Sequence, residues 1–471
     1  MFEFDLYEKI FKKVHFIGIG GISMSGLAEI LFYKGFTVTG SDTKKSKVTE
    51  HLENIGIEVF IGHDEKNIDD ADLVIYTDAI SKDNVELNKC IERGIPLVDR
   101  ATFLGALMKN YKKSIAISGT HGKTTTTSML ATVLNFSDLN PTMLIGGNLD
   151  DIGGNVKLGS DDLLLTEACE YKANILKYFP TIAVILNIDE DHLDYFRDID
   201  HIKETFKGYF KNIQNDGYLI VNINDKNINS ILDSADSNII TFGINSDAFI
   251  TAKNIEYDIH GNPSFDIYKD HNLIGNIRLN VMGEHNIYNA LATYCVSSLI
   301  GMEDHEILNK LSHFNGVHRR LEYKGLLGDI KIIDDYAHHP TEIMASLRAI
   351  RKSTNEKIYC VFQPHTFTRT KILLDSFSKA FTDADKVIIA DIYAAREKDL
   401  GEIHSRDLAE KIRLSGTDAI YLGSFKEIED FLLNEVSNHD IIVTMGAGNV
   451  YEIGEDLLNI DKEPEIKQIV V

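Results

Sequence analysis

Ser118-Gly119-Thr120-His121-Gly122-Lys123-Thr124-Thr125-Thr126-Thr127 decides how this chain is read. It follows the apolar run Ser114 to Ile117, which reads as a buried strand, and precedes Ser128-Met129-Leu130-Ala131-Thr132-Val133-Leu134, which reads as the opening of a helix. A glycine loop between strand and helix turns backbone N–H groups towards an anion, and the helix N-terminus adds a favourable dipole. Lys123 can then reach the outer phosphates, and Thr124 can bind the accompanying magnesium. The stretch therefore predicts a nucleoside triphosphate site. Ile117 stands where a full-length phosphate loop has its first glycine, which leaves the shorter form Gly119-x-x-Gly122-Lys123-Thr124. The plainer alternative is a glycine turn ahead of an ordinary helix.

Around that loop lie 471 residues, too many for one ordinary core, so two to four domains are expected. No run of about 18 apolar residues occurs, which argues against membrane insertion. The start, Met1-Phe2-Glu3-Phe4-Asp5, lacks the pattern of a secretory signal. Cys90, Cys169, Cys295 and Cys360 are far apart and form no Cys-x-x-Cys pair, which fits a reducing, cytoplasmic setting. The net charge of −24 disfavours nonspecific nucleic-acid or anionic-membrane binding, so any anionic ligand needs local devices.

Three α/β blocks follow from the patterning, and the expected boundaries are 1–110, 111–321 and 322–471. In the first, Lys13 to Ile19, Phe36 to Gly40, Leu73 to Thr77 and Pro96 to Val98 read as strands of an open parallel sheet, with a helix through Ser25 to Tyr33. In the second, Asp162 to Thr166 and Ile182 to Asn187 read as buried strands, and Gly217 to Val281 as an added antiparallel portion. In the third, strand-like runs end at Asp334-Asp335, Gln363-Pro364-His365, Asp391 and Gly446. Ligands of open α/β sheets bind at such strand ends.

Several motifs carry possible chemistry. His15-Phe16-Ile17-Gly18-Ile19-Gly20-Gly21-Ile22-Ser23 resembles a dinucleotide fingerprint with Ser23 in place of the third glycine, and Asp42 ends the next strand. NAD or FAD, another pyrophosphate ligand, or a bare turn all remain open on spacing alone. Glu167, in Thr166-Glu167-Ala168-Cys169-Glu170, can hold magnesium or be a solvated acid at a strand end. Asp191, His192 and Asp194 can complete a metal site or orient a nucleophile. Asn286 and Asn289 share a helix face and suit a base edge, though Asn286 also suits a helix cap. An arginine of His318-Arg319-Arg320 can grip a phosphate or carboxylate. Asp334-Asp335-Tyr336-Ala337-His338-His339-Pro340-Thr341-Glu342 and Gln363-Pro364-His365-Thr366-Phe367-Thr368-Arg369 bring histidines and arginine to neighbouring strand ends, as an anionic ligand would require.

In that order these motifs resemble the Mur ligase family of peptidoglycan synthesis, from His15-Phe16-Ile17-Gly18 to Met445-Gly446-Ala447-Gly448-Asn449. The resemblance implies three domains: Rossmann-like, P-loop ATPase-like with added antiparallel strands, and Rossmann-like again. It implies ATP-dependent joining of L-alanine to the carboxylate of UDP-N-acetylmuramate through an acyl phosphate, by a monomer or homodimer. Gly18, Gly20, Gly21, Ser23 and Asp42 would then hold the UDP-sugar. Gly119, Thr120, His121, Gly122, Lys123, Thr124 and Thr125 would hold ATP, with His285, Asn286 and Asn289 near adenine and Arg319 by the phosphates. Thr124, Glu167 and His192 would serve Mg2+. His338, His365 and Arg369 would face the alanine, with His338 the candidate base. Lys123, Glu167, His192, His338 and Arg369 would form the catalytic set.

Two positions depart from the family pattern. Cys169 stands where many relatives have aspartate, and Thr366 where many have arginine, which leaves the carboxylate clamp to Arg369, alone or with a second residue that the sequence does not identify. Three other functions compete: a ligase recycling a whole tripeptide onto the same sugar nucleotide, a nucleotide-gated regulatory protein, and an NAD oxidoreductase.

Overall fold

In the computed structural model, residues 2–8, 10–135, 137–214, 216–395 and 397–460 are described. Three sheets follow one another along the chain. The first has strands β1 (Lys13–Ile17), β2 (Thr37–Asp42), β3 (Glu58–Ile61), β4 (Leu73–Tyr76) and β5 (Leu97–Asp99), in the order β3-β2-β1-β4-β5. Every pairing in it is parallel. The apolar interiors of β1 and β4 are fully buried, as a sheet covered on both faces requires. The strand order reverses between β1 and β4, so the crevice for a ligand opens beyond Ile17, at the glycine loop.

The second sheet contains β6 (Lys113–Ser118), β7 (Pro141–Leu149), β8 (Gly154–Lys157), β9 (Ser160–Ala168), β10 (Ile182–Ile185), β11 (Tyr218–Asn222), β12 (Asn238–Ile244), β13 (Ile250–Tyr257), β14 (Pro263–Lys269) and β15 (Asn272–Arg278). Its order is β15-β14-β13-β12-β11-β10-β6-β9-β7-β8. The expected antiparallel portion is narrower than its sequence suggested. β11, β12 and β13 pair in parallel, and only β13-β14-β15 run antiparallel. A second antiparallel pair, β7 with β8, sits at the other edge.

The third sheet comprises β16 (Glu322–Leu327), β17 (Ile330–Asp335), β18 (Ile358–Phe362), β19 (Lys386–Ile389), β20 (Ala419–Tyr421) and β21 (Ile441–Met445), ordered β16-β17-β21-β18-β19-β20. Only the β16–β17 hairpin is antiparallel. The C-terminal ends of β17, β18 and β21 lie side by side and carry Asp334-Asp335, Gln363 and Gly446.

The first two sheets share packing. The helix Ile22–Tyr33 lies against β7 and β8, and a Cβ on its Gly26 would come within 2.3 Å of Leu144. The helix Arg100–Met108 meets the segment ending at Tyr178, where Gly105 leaves room for the Lys177 carbonyl. One apolar cluster accordingly runs from Phe4 and Phe103 to Phe206 and Tyr209. All four cysteines are unpaired.

Candidate active site

The phosphate loop joins β6 to the helix Lys123–Asn135. Gly119 has φ +133°, and a Cβ there would press on Leu186 and the Asn187 backbone at 3.1 Å, so the position needs glycine. Asn187 clamps the loop: its Oδ1 accepts from His121 N at 2.8 Å, and its Nδ2 donates to the His121 carbonyl at 3.0 Å. Lys123 folds back over the loop, donating to the Gly119 and Thr120 carbonyls and lying 3.1 Å from Glu170. Burial pulls the ammonium pKa down, but the Glu170 carboxylate outweighs this and holds it above its ordinary value.

Glu167, near the end of β9, faces the loop. Its Oε1 accepts from Gly146 N at 2.7 Å and its Oε2 from Thr124 Oγ1 at 3.2 Å. His192 lies next to Glu170. Its Nε2 is 3.8 Å from Glu170, and its ring lies 4.6 Å from that of Tyr171. Glu170 thus stands between Lys123 and His192, a position the sequence reading did not single out.

A cavity of about 500 Å³ opens beside the loop, within the range of small-molecule sites. His121, Gly122, Thr125, His285, Asn286 and Asn289 line it. So do Arg320 and Asp335, from motifs the sequence offers, and Asn222, Asp225 and Lys226, which no motif singles out. Asn286 does not cap its helix, whose N-cap is Glu284; its Nδ2 donates to the Met282 carbonyl at 2.8 Å. Asn289 donates to Asn286 Oδ1 at 2.9 Å and accepts from Thr126 at 3.1 Å, binding the helix His285–Leu299 to the phosphate-loop helix. Burial, only partly countered by Glu342, pushes the His285 pKa down to about 4, so its ring is neutral at pH 7.

The two adjacent arginines part company. Arg319 has φ +62°, and its guanidinium is held by Asp334 at 3.2 Å, by the Gly446 carbonyl at 2.7 Å, and between the Tyr336 and Tyr451 rings. Arg320 is the one that lines the cavity. Beside it, burial raises the Asp335 pKa to about 6.

A second cavity, about 210 Å³, lies where the third sheet meets the loop after β10. His338, His365 and Arg369 line it together with Asp191, His192 and Tyr171. Arg369 reaches Asp191 at 3.2 Å and His365 Nδ1 at 3.2 Å. His338 Nδ1 donates to the Tyr336 carbonyl at 3.0 Å, which leaves Nε2 as the lone-pair nitrogen. Burial lowers its pKa to about 4, so it too is neutral at pH 7. Thr366 has φ +67°, a strained conformation for a β-branched residue, and ends at this cavity.

The loop Asn187–Asp194 makes several contacts across the seam between the second and third sheets. Asp189 accepts from Thr341 at 2.6 Å, the Glu190 carbonyl accepts from His339 at 2.8 Å, and Asp191 pairs with Arg369. His121 adds a 3.2 Å contact to Glu342, which also caps the helix Pro340–Lys352. Burial pulls the His121 pKa down, but Asp189 and Glu342 raise it to about 9.

The sugar-nucleotide candidates gather at the first crevice. The Ser41 carbonyl accepts from Gly18 N at 2.8 Å and Ile19 N at 3.0 Å, and Asp42 accepts from Gly20 N at 2.9 Å. Those donors are spent on shaping the loop. What remains for an anion is the first turn of the helix Ile22–Tyr33, which has no side-chain cap. Arg100, missed from sequence, reaches that turn through Ser23 Oγ at 3.2 Å.

A glycine-loop domain, a short-form phosphate loop and a third α/β sheet bearing basic residues over the loop define a nucleotide-dependent ligase of the Mur type. The Mur ligase family, catalytic domain, matches residues 13–112; the Mur ligase middle domain matches 117–297; and the Mur ligase, glutamate ligase domain, matches 319–448. The chain belongs to the Mur ligase family. It is 54% identical over 454 residues to a UDP-N-acetylmuramate–L-alanine ligase of Acetivibrio thermocellus, covering 96% of this chain and 97% of that one. Among solved structures it resembles the UDP-N-acetylmuramate–alanine ligase of Thermotoga maritima, with TM-score 0.80, 28% identity and coverage of 96% and 99%. A murein peptide ligase of Psychrobacter arcticus shares the fold, with TM-score 0.73, 24% identity and coverage of 96% and 98%.

Proposed function

We propose that this protein joins L-alanine to the lactoyl carboxylate of UDP-N-acetylmuramate at the expense of ATP. The carrying observation is a pair of cavities: a larger one beside the phosphate loop, lined by Asn286 and Arg320, and a small one lined by His192, His338 and Arg369. Relatives that share about half its sequence bear the name of this activity. We assign residues 1–110 to the sugar nucleotide, 111–321 to ATP and 322–471 to the amino acid.

Lys123 releases Glu170 and turns to the outer phosphates, which offsets the repulsion between two anionic substrates. The substrate carboxylate oxygen attacks the γ-phosphorus, the bond from phosphorus to the β,γ-bridging oxygen breaks, and ADP leaves. The amine nitrogen of alanine then attacks the acyl carbon. The carbon–oxygen bond to phosphate breaks, and inorganic phosphate departs. His338 Nε2 takes the amine proton; its neutrality at pH 7 suits a base. Arg369 holds the alanine carboxylate, with His365 beside it.

Thr124 Oγ1 and both Glu167 oxygens present the hard-oxygen donors that magnesium prefers, and Gly146 leaves their space open, since a Cβ there would meet the carboxylate at 2.7 Å. These residues fit Mg2+; bound there, the ion would neutralise charge on the transferring phosphoryl group. The test is phosphate release with ATP, UDP-N-acetylmuramate and a panel of amino acids. Release that depends on both the sugar nucleotide and L-alanine supports the reading. Release with neither points to a nucleotide-gated regulator, and a clear preference for the tripeptide points to a recycling ligase. The small second cavity favours the single amino acid.

A further inference from the structure

We propose that His121, Asp189 and His339 form a second cation site, selective for a zinc-class transition ion, distinct from the hard-oxygen group at Thr124 and Glu167. One ligand atom from each of the three lies within 4.8 Å of the other two. Two imidazoles and one carboxylate are a donor set that suits zinc or cobalt over magnesium.

The surrounding hydrogen bonds orient the donors. His121 Nδ1 lies 3.2 Å from Glu342 Oε1 and donates there. Nε2 is then left 3.4 Å from Asp189 Oδ2, buried and with no hydrogen-bond partner among the described residues. In the metal-free protein a proton on Nε2 lies between this nitrogen and the carboxylate, and a bound metal ion would displace it. A carboxylate behind a ligating imidazole is also a recurrent second layer of zinc sites. His339 is arranged similarly. Its Nε2 donates to the Glu190 carbonyl at 2.8 Å, so the lone pair is on Nδ1, which accepts from Thr341 N at a long 3.4 Å, a contact that a bound ion would replace. The two rings lie 4.9 Å apart. Asp189 is 37% exposed at its side chain, which gives an ion a way in and leaves a position for water. The three ligands come from the phosphate loop, the loop after β10 and the cap of the helix Pro340–Lys352, so a bound ion would tie the second sheet to the third.

The test is Co2+ titration of the full chain in excess Mg2+, read by visible absorption. One equivalent should bind with the bands of nitrogen-ligated cobalt and be displaced by Zn2+. His339→Gln should weaken binding about 10- to 100-fold, and His192→Gln should leave it intact. Circular dichroism and metal-free melting check that each variant folds. Should His339→Gln fail to fold, Asp189→Asn carries the same expectation. Absent bands, binding indifferent to both substitutions, or binding abolished by His192→Gln would each overturn the proposal.

Discussion

Lys123 and the arginine pair set the terms at the residue scale. Lys123→Ala removes the only side chain of the phosphate loop able to carry charge to the outer phosphates besides His121. A loss of about 100-fold or more in ligase turnover is expected, at the scale of losing one transition-state charge contact. Near-normal turnover would sink the loop's role. Arg320→Ala should lower kcat/KM for ATP by a similar factor with little change in melting temperature. Arg319→Ala should act the other way round, costing about 3 kcal/mol in denaturant unfolding, because it strands the buried Asp334 carboxylate. This division was not legible in the sequence, where Arg319 and Arg320 are equivalent neighbours. The left-handed backbone at Arg319 turns its side chain towards Gly446, and nothing in His318-Arg319-Arg320 announces that turn. The phosphate loop itself was legible because glycine, lysine and threonine at that spacing serve one local geometry.

Elements tell a similar story. Long apolar runs such as β6 and β10 were readable from composition, since both faces of a central parallel strand are buried. The pairing of β12 with its neighbours was not, because alternation along a strand does not state its direction. Contacts between elements were also hidden. Gly105 looks like a poor helix residue, yet a Cβ there would fall 1.8 Å from the Lys177 carbonyl. Gly105→Ala should therefore destabilise the fold by about 1–3 kcal/mol through overpacking, despite alanine's better helix propensity. An unchanged or raised denaturation midpoint would contradict that packing.

Across the whole molecule, buried histidines couple stability to pH. His285 and His338 are both pushed down to about 4, while an unfolded imidazole titrates near about 6.5. Between those values the unfolded chain binds the extra protons, so stability falls as pH drops, by about 1.4 kcal/mol per pH unit for each group. Asp335, raised to about 6, runs the other way and offsets one of them over part of the window. His121, raised to about 9, contributes stability that is full below about 6.5 and lost as pH rises through 9. Urea unfolding across pH should show stability declining on both sides of neutrality, and His285→Gln should flatten the acid side. Equal slopes for that variant and the parent would contradict the assignment.

The central claim, that ATP activates the sugar carboxylate before alanine attacks, is tested most directly by oxygen transfer. UDP-N-acetylmuramate labelled with 18O in its lactoyl carboxylate is turned over with ATP and L-alanine, and the released phosphate is examined by mass spectrometry. One labelled oxygen in the phosphate for each amide formed is the expected result. Phosphate carrying no label would contradict the account.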